Sequence, residues 1–457
     1  MSVEIQLRCP REREGVARYA LDQLVAAAFP TGIVGSLLVV YGGDPGGAGR
    51  AGSGPWVHVA YSPETWTGSC RPAGCVEVAE GGAVIGCDLV AVAFRALTRA
   101  DEQPWLDNWG RVPWAASGFA RGLGDLGRPA VDQAARVMRD AAEKAGAAPE
   151  PVPLWDGHRF AVGLSHDVDA LRRWTGRGYA AAGAGAARHL LAGRLGAATD
   201  VARQVAASLR GRWRRETDPF WTFDQVLETE RRHGARSTFF VKARFTHSLD
   251  GSDRRTYRRL VGEVCRTVLA AGCEVGLHGS HAAATSRAAL TDEKAVLEQR
   301  VGTEVRGVRY HNLRFLPDCT AGVIAGAGFA YDSTLAFAER IGYRSGSSFP
   351  HRLFDPATGQ ASEVVEVPLA VMDTTLIVDR YGHLERDAAW KAIVDVLSAA
   401  EAAGGGVAVL WHNDQIGPAH TRGLGTLYED LVAYCAERQA WLTSVGDLAQ
   451  RWSARLP

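Results

Sequence analysis

Phe160-Ala161-Val162-Gly163-Leu164-Ser165-His166-Asp167-Val168-Asp169 carries an apolar run straight into two carboxylates. Residues 160–164 read as a short buried strand, so the acids sit where that strand runs into a loop. Alternation along extended backbone turns Asp167 and Asp169 to one side. Two like charges held close are costly unless a cation or a proton lies between them. The pair therefore suits a divalent metal plus a general base; capping of a following helix is the plainer use of an Asp at such a place.

Downstream of this stretch, strand-like runs alternate with helical ones. The predicted strands are 160–164, 237–241, 274–277, 307–308, 364–367, 407–410 and 441–443, and predicted helices include 223–233, 254–271, 292–300, 388–402 and 425–438. Such alternation argues for an α/β fold with a parallel sheet, and this many units for a (β/α) barrel whose function collects on the loops after the strand C-termini. No internal repeat is visible. One segment breaks the alternation: 171–215 holds ten Arg against one acid, Asp200, and is rich in Ala and Gly. It reads as a solvated Ala/Arg helix. Its second reading is a lid or a basic surface meeting an anionic polymer or a lipid-linked substrate, with membrane-surface contact the lesser expectation.

Upstream, residues 1–153 form a separate N-terminal domain in this reading, with the barrel over 156–457. A strand is expected over 33–41, a flexible Gly-rich loop over 42–54, further apolar segments over 57–61 and 83–94, an amphipathic helix over 129–145 and a linker over 147–153. Asp107, Gly110 and Arg111 suggest a structural polar loop. With 457 residues the chain exceeds one ordinary core. Its 46% hydrophobic and 22% charged residues are those of a soluble globular protein, and Lys+Arg equals Asp+Glu at 51 each, which offers nothing to nucleic acid. No signal peptide and no membrane-spanning stretch are expected. The eight cysteines lack zinc-finger spacing, Cys70 and Cys75 being nearest each other, so reduced thiols and a cytoplasmic setting are expected.

Chemistry concentrates in five short segments. They are Ser165-His166-Asp167-Val168-Asp169, Leu277-His278-Gly279-Ser280-His281, Val308-Arg309-Tyr310-His311-Asn312, the run from Val367 to Asp373, and Val409-Leu410-Trp411-His412-Asn413. On a helical turn His278 and His281, three apart, would share a face and bind one metal. A carboxylate and two imidazoles suit Zn²⁺ or a similar divalent metal, a further carboxylate can take a proton from water, and a further His can give one to a leaving group. His166 points away from Asp167 and reads as structural. Tyr310, Trp411 and Trp221 are candidates for a sugar subsite, although aromatic residues more often fill cores.

The order of these segments resembles the polysaccharide deacetylase superfamily, carbohydrate esterase family 4, over residues 156–450. Gly234-Ala235-Arg236-Ser237-Thr238-Phe239-Phe240-Val241 is similar to its second strand, and Gly328-Phe329-Ala330-Tyr331-Asp332-Ser333 to its "GF-YDSS" stretch. The N-terminal part resembles an uncharacterised domain that precedes some bacterial deacetylase-like domains. The resemblance implies a distorted (β/α) barrel that removes an N-acetyl group from a sugar or polysaccharide with a divalent metal. It implies Asp167 as base, Asp169 and His278 as metal ligands, and Arg309 as the group orienting the base. Asp373 would tune His412, the general acid, and Leu410 would supply an apolar wall. A backbone N–H near Asn312 would help to hold the oxyanion. The chain departs from the family pattern in three places. Val168 separates the acids, the histidines of the second segment are three rather than four apart, and His311 stands where Pro is usual. His281 and His311 thus compete as third ligand. Two other readings are an inert sugar-binding or scaffolding barrel, and an N-deacylase or deformylase of a small metabolite.

Overall fold

The computed structural model describes residues 3–45, 54–66, 76–150, 154–191, 193–210, 215, 218–251, 253–378, 381–416 and 424–456. Cys70, Cys75, most of the Gly-rich loop and the end of the 147–153 linker lie outside them. The N-terminal part contains β1 (Val3–Leu7), α1 (Arg11–Ala28), β2 (Ile33–Val34), β3 (Leu37–Tyr41), β4 (Trp56–Val59), β5 (Val76–Ala79), β6 (Gly82–Ile85), α2 (Leu89–Thr98), α3 (Ala130–Lys144) and β7 (Ala148–Pro149). Five of these strands form a sheet in the order β1-β3-β4-β6-β5, with only β5 antiparallel to its neighbour, while β2 pairs with β7. Gly35, at φ +86°, splits the strand expected over 33–41. The apolar run 83–94 changes from strand to helix at Asp88, whose carboxylate accepts the Ala91 N–H at 2.9 Å as an N-cap.

The second part is an α/β unit built on a curled, incompletely closed (β/α) barrel. Its elements are β8 (Phe160–Val168), α4 (Gly176–Leu191), α5 (Leu195–Arg210), α6 (Phe223–Arg232), β9 (Thr238–Val241), α7 (Arg254–Ala270), β10 (Glu274–Gly279), α8 (Arg287–Val301), β11 (Gly307–Tyr310), α9 (Thr320–Gly326), β12 (Tyr331–Asp332), β13 (His351–Asp355), β14 (Gln360–Glu366), β15 (Leu369–Met372), α10 (Asp373–Ile377), α11 (Arg386–Ala403), β16 (Gly406–Leu410), α12 (Leu427–Glu437), β17 (Ala440–Ser444) and α13 (Val445–Ser453). The ten-stranded sheet runs β13-β14-β12-β11-β10-β9-β8-β16-β15, with β17 also on β8; all pairings but β13–β14 are parallel. Strand β8 is buried along its whole length, as a central parallel strand must be with both faces covered. Its first half pairs with β17 and its second with β9, while β16 holds the other edge.

Predicted strand ends fall short of the observed ones. Strand β8 extends through Asp167, β10 through His278 and β11 through Arg309. Polar side chains there point toward one another instead of ending the strands, a compensation invisible to a hydrophobicity pattern. The basic segment 171–215 is not one helix but the antiparallel pair α4 and α5. The two sheets share an apolar core, in which Ala20, Leu24 and Leu97 of the first part join Phe354, Val365 and Val367 of the second. This contact covers the β13 edge, which would otherwise offer unpaired backbone to other chains.

Candidate metal and acid–base site

Because β8, β10, β11, β15 and β16 are parallel, their C-terminal ends lie on one rim, and each delivers a polar side chain there. Arg309 is fully buried on β11. Its guanidinium donates to Asp167 Oδ1 at 3.0 Å, Ser165 Oγ at 2.8 Å and the Ser333 carbonyl at 2.7 Å, over the Phe240 ring. Three strand spacings of ~4.8 Å would separate β11 from β8 by ~14 Å in a flat sheet. The curl of the sheet brings the two side chains into contact.

Asp169 follows β8. Its Oδ1 lies 3.3 Å from His278 Nε2, 3.4 Å from His311 Nε2 and 2.6 Å from Lys242 Nζ. Burial pushes its carboxyl up, but Lys242, His311 and His278 outweigh this and hold it well below the usual carboxylate range. His278 is 1% exposed, and its Nδ1 lies 3.0 Å from the Arg309 carbonyl. A carbonyl can only accept, so Nδ1 carries the proton and Nε2 presents a lone pair. Burial lowers this imidazole despite Asp167 and Asp169, which keeps that lone pair bare. It faces Asp169 Oδ1 and, at 3.7 Å, Asp167 Oδ2. His278 Nε2 is buried without a hydrogen-bond partner, and the buried Asp169 Oδ1 beside it has the Lys242 ammonium as its nearest cation. Acceptors aimed at one another in this way fit a cation between them, and among the described residues Asp169, His278 and His311 offer donor atoms within 4.8 Å of one another.

On the other side, His412 follows β16 and Asp373 follows β15. His412 Nδ1 is 2.7 Å from Asp373 Oδ1, and its backbone N–H donates to Oδ2 at 2.6 Å. The His412 Nε2 lies 3.8 Å from Asp169 Oδ2. Burial works against the charged imidazole, but Asp373, then Asp169 and Asp167, raise it to about 10. The imidazole is thereby poised as a proton donor.

Several expected residues lie elsewhere. His281 does not share a helical face with His278, because His278 is in β10 and His281 in the turn beyond it. The His281 ring stacks on His247 at 4.5 Å and the His281 backbone N–H donates to Asp250 at 2.8 Å, so the cluster takes His311 instead. Tyr310 alternates with Arg309 to the opposite face and is fully buried, its ring against Gly279, where a Cβ would lie 2.7 Å away. Trp411 and Leu410 are also fully buried in the core. None of the three lines a sugar subsite or an accessible wall; period-two alternation sends them into the sheet's packing. Trp221 is partly buried edge-to-face on Phe223. Asn312, at φ 61°, remains beside the site, its side-chain amide 3.2 Å from His311 Nδ1. His166 is structural as expected, bonded to the Trp411 carbonyl at 2.7 Å and Glu230 at 2.8 Å.

Sequence reasoning missed Lys242 and Asp250. Lys242, 2% exposed, follows Val241 at the end of β9, and only a charged residue closing the apolar run 239–241 hinted at it. Asp250 is buried and accepts N–H groups of Thr246, His247 and His281. Burial pushes it up, yet His311 and those N–H groups hold it far below the usual range. Its Oδ1 sits 3.8 Å from His311 Nδ1, on the side of the ring away from Asp169. No sequence signal separates it from an ordinary loop acid. The loop of Asp107, Gly110 and Arg111 also reaches the rim: Asp107 holds Arg111, and Arg314 donates to the Gly110 carbonyl at 3.0 Å and to the His281 carbonyl at 2.7 Å.

The fold and site together define a curled parallel (β/α) barrel with a carboxylate–imidazole centre on its C-terminal rim. No protein-family model matches the chain, and no curated protein does. Among solved structures, a Mycobacterium smegmatis protein assigned to the polysaccharide deacetylases is 21% identical, covering 67% of this chain and 94% of that one, with a TM-score of 0.43. Peptidoglycan deacetylase PdaC from Bacillus subtilis is 13% identical, covering 65% and 93%, with a TM-score of 0.33. BA3943 from Bacillus anthracis, a CE4 family pseudoenzyme, is 13% identical, covering 63% and 65%, with a TM-score of 0.31.

Proposed function

We propose that the protein is a metal-dependent hydrolase that removes an N-acetyl group from a sugar or polysaccharide. The observation that carries this reading is the convergence of three separately supported groups: Asp167 on Arg309, Asp169 with His278 and His311, and His412 on Asp373. Asp169, His278 and His311 would hold the metal, and a donor set of one carboxylate and two imidazoles favours zinc. When bound, the metal supplies Lewis acidity to the amide carbonyl and lowers the pKa of a bound water.

The chain's own residues do the rest. Arg309 anchors Asp167 through Oδ1, which leaves Oδ2 facing His278 and able to take a proton from water. Asp373 accepts from the His412 Nδ1–H and holds the imidazole in its charged form, so the proton on Nε2 can pass to the departing nitrogen. The Asn312 backbone N–H would assist the developing oxyanion. The test is acetate release from N-acetylated oligosaccharides, together with the metal content of the purified protein. Asp167→Asn and His412→Ala are expected to lose at least ~100-fold in rate with the fold intact by circular dichroism. Full activity in either variant would sink the assignment.

One observation favours a second reading, an inert sugar-binding barrel: a cation, the Lys242 ammonium, already lies 2.6 Å from Asp169. That reading expects no metal in the purified protein and no acetate release from any N-acetylated glycan.

A further inference from the structure

The helical pair α4–α5 distributes its side chains the wrong way round for a self-contained hairpin. Among the described side chains of the two helices, the buried residues are small, Ala182 and Ala198. The large apolar side chains face out: Leu190 is 54% exposed, Leu191 89%, Leu195 66% and Leu209 67%. Half of the exposed large hydrophobics among the described residues are therefore on these two helices. Leu190, Leu191 and Leu195 bracket the connection between the helices and form an apolar tip. Leu195, Thr199, Ala202 and Leu209 continue along one exposed face of α5, at the spacing of one helical stripe.

Around this apolar surface the charge is mostly positive. Arg188, Arg194 and Arg203 are exposed on or between the helices, and Asp200, the only acid of the two helices, pairs with Arg203. Neither helix is long and apolar enough to cross a bilayer. Grouped exposed leucines argue against a merely solvated hairpin, since soluble surfaces seldom leave such side chains together. They also argue against nucleic acid or an acidic polymer, which would use the arginines and leave the leucines in water.

We propose that the α4–α5 hairpin docks on a membrane surface that carries anionic lipid, with the leucine tip entering the acyl boundary and the arginines meeting the headgroups. The docking surface is tied to the site. Asn413, next to His412, donates to the carbonyls of Ala170 and Phe220, at 2.8 and 2.7 Å, and so pins both ends of the insertion to the rim. A hairpin docked this way tethers the rim that carries the site to the membrane surface, whatever reaction that site performs.

The experiment is flotation of the full chain with vesicles of phosphatidylcholine alone and with about one-third phosphatidylglycerol. Binding to the anionic vesicles is expected to exceed binding to the neutral ones at least ~10-fold and to fall with salt. Changing Leu190, Leu191 and Leu195 together to Ser, all surface positions, should lower that binding at least ~10-fold while circular dichroism and metal content stay unchanged. Equal binding to both vesicles, or no binding to either, overturns the proposal. Anionic binding that the serine variant keeps in full overturns it in favour of a purely electrostatic polyanion surface. A dimer seen by light scattering, dissolved by the serine changes and accompanied by no vesicle binding, overturns it in favour of a second copy of this chain. Loss of acetate release with vesicle binding intact would instead count against the catalytic reading alone.

Discussion

At the residue scale, Lys242 is the departure that matters most. Its ammonium and the candidate metal both want Asp169 Oδ1, which is 2.6 Å from Nζ. Two cations cannot share one oxygen without mutual repulsion, so Lys242 should weaken metal binding. Lys242→Met keeps the length and apolar stem. It is expected to tighten zinc binding at least about tenfold, a gain that ~1.4 kcal/mol supplies, as read by isothermal titration calorimetry. The metal-free variant should melt earlier than the parent, because Asp169 then loses its nearest cation in a buried site. Unchanged zinc affinity would mean that the ammonium moves aside at no cost.

At the scale of elements, helix α8 is locked to the end of β10 by one carboxyl. Glu293, 1% exposed, accepts the Ser280 N–H at 3.0 Å and the Ser280 hydroxyl. Burial pushes Glu293 up to about 7, against the lowering pull of those bonds. In the unfolded chain it titrates near its ordinary value of ~4.3. Between these values the folded protein holds the proton and the unfolded chain does not, so stability is greatest below about pH 4 for this group and is lost as pH rises to about 7. The slope is at most about 1.4 kcal/mol per pH unit. Glu293→Gln should flatten the parent's decline over that window, measured as urea unfolding free energy at several pH values. An identical pH profile in parent and variant would contradict the raised value.

For the whole molecule, the N-terminal part serves as more than an appendage. Glu102, between α2 and α3, accepts both arms of Arg344 at 2.8 Å, and the two side chains are 3% and 1% exposed. Arg344 also donates to the carbonyls of Ala336 and Phe315, and Asp132 of α3 binds Ser348 of the same barrel loop. Together with the shared apolar core, this makes independent unfolding of the two sheets unfavourable. A single cooperative transition is expected by fluorescence and circular dichroism alike. Glu102→Gln strands the buried guanidinium charge and should cost about 3–5 kcal/mol in the unfolding free energy. Two separate transitions in the parent would refute the coupling.

Local pattern was enough for the alternating strands and helices, the parallel sheet and the placing of Asp167, Asp169, His278, Arg309, Asp373 and His412 at strand ends. Those depend on periodicity and on chemistry within a few residues. Three things were beyond it. The choice of His311 over His281 depends on β10 continuing through His278, which the polar partners across the sheet make possible. The burial of Tyr310, Leu410 and Trp411 follows from which face of each strand the curl turns inward. Lys242 meets Asp169 because β9 pairs with β8 in a register that sets the two residues side by side, and Asp250 meets His311 from the loop beyond β9; both partners are distant in sequence. Contacts between strand ends that are 39 (Asp373 and His412) to 243 (Asp169 and His412) residues apart in sequence are set by packing of the whole barrel, and no local signal encodes which of several polar residues will face one another.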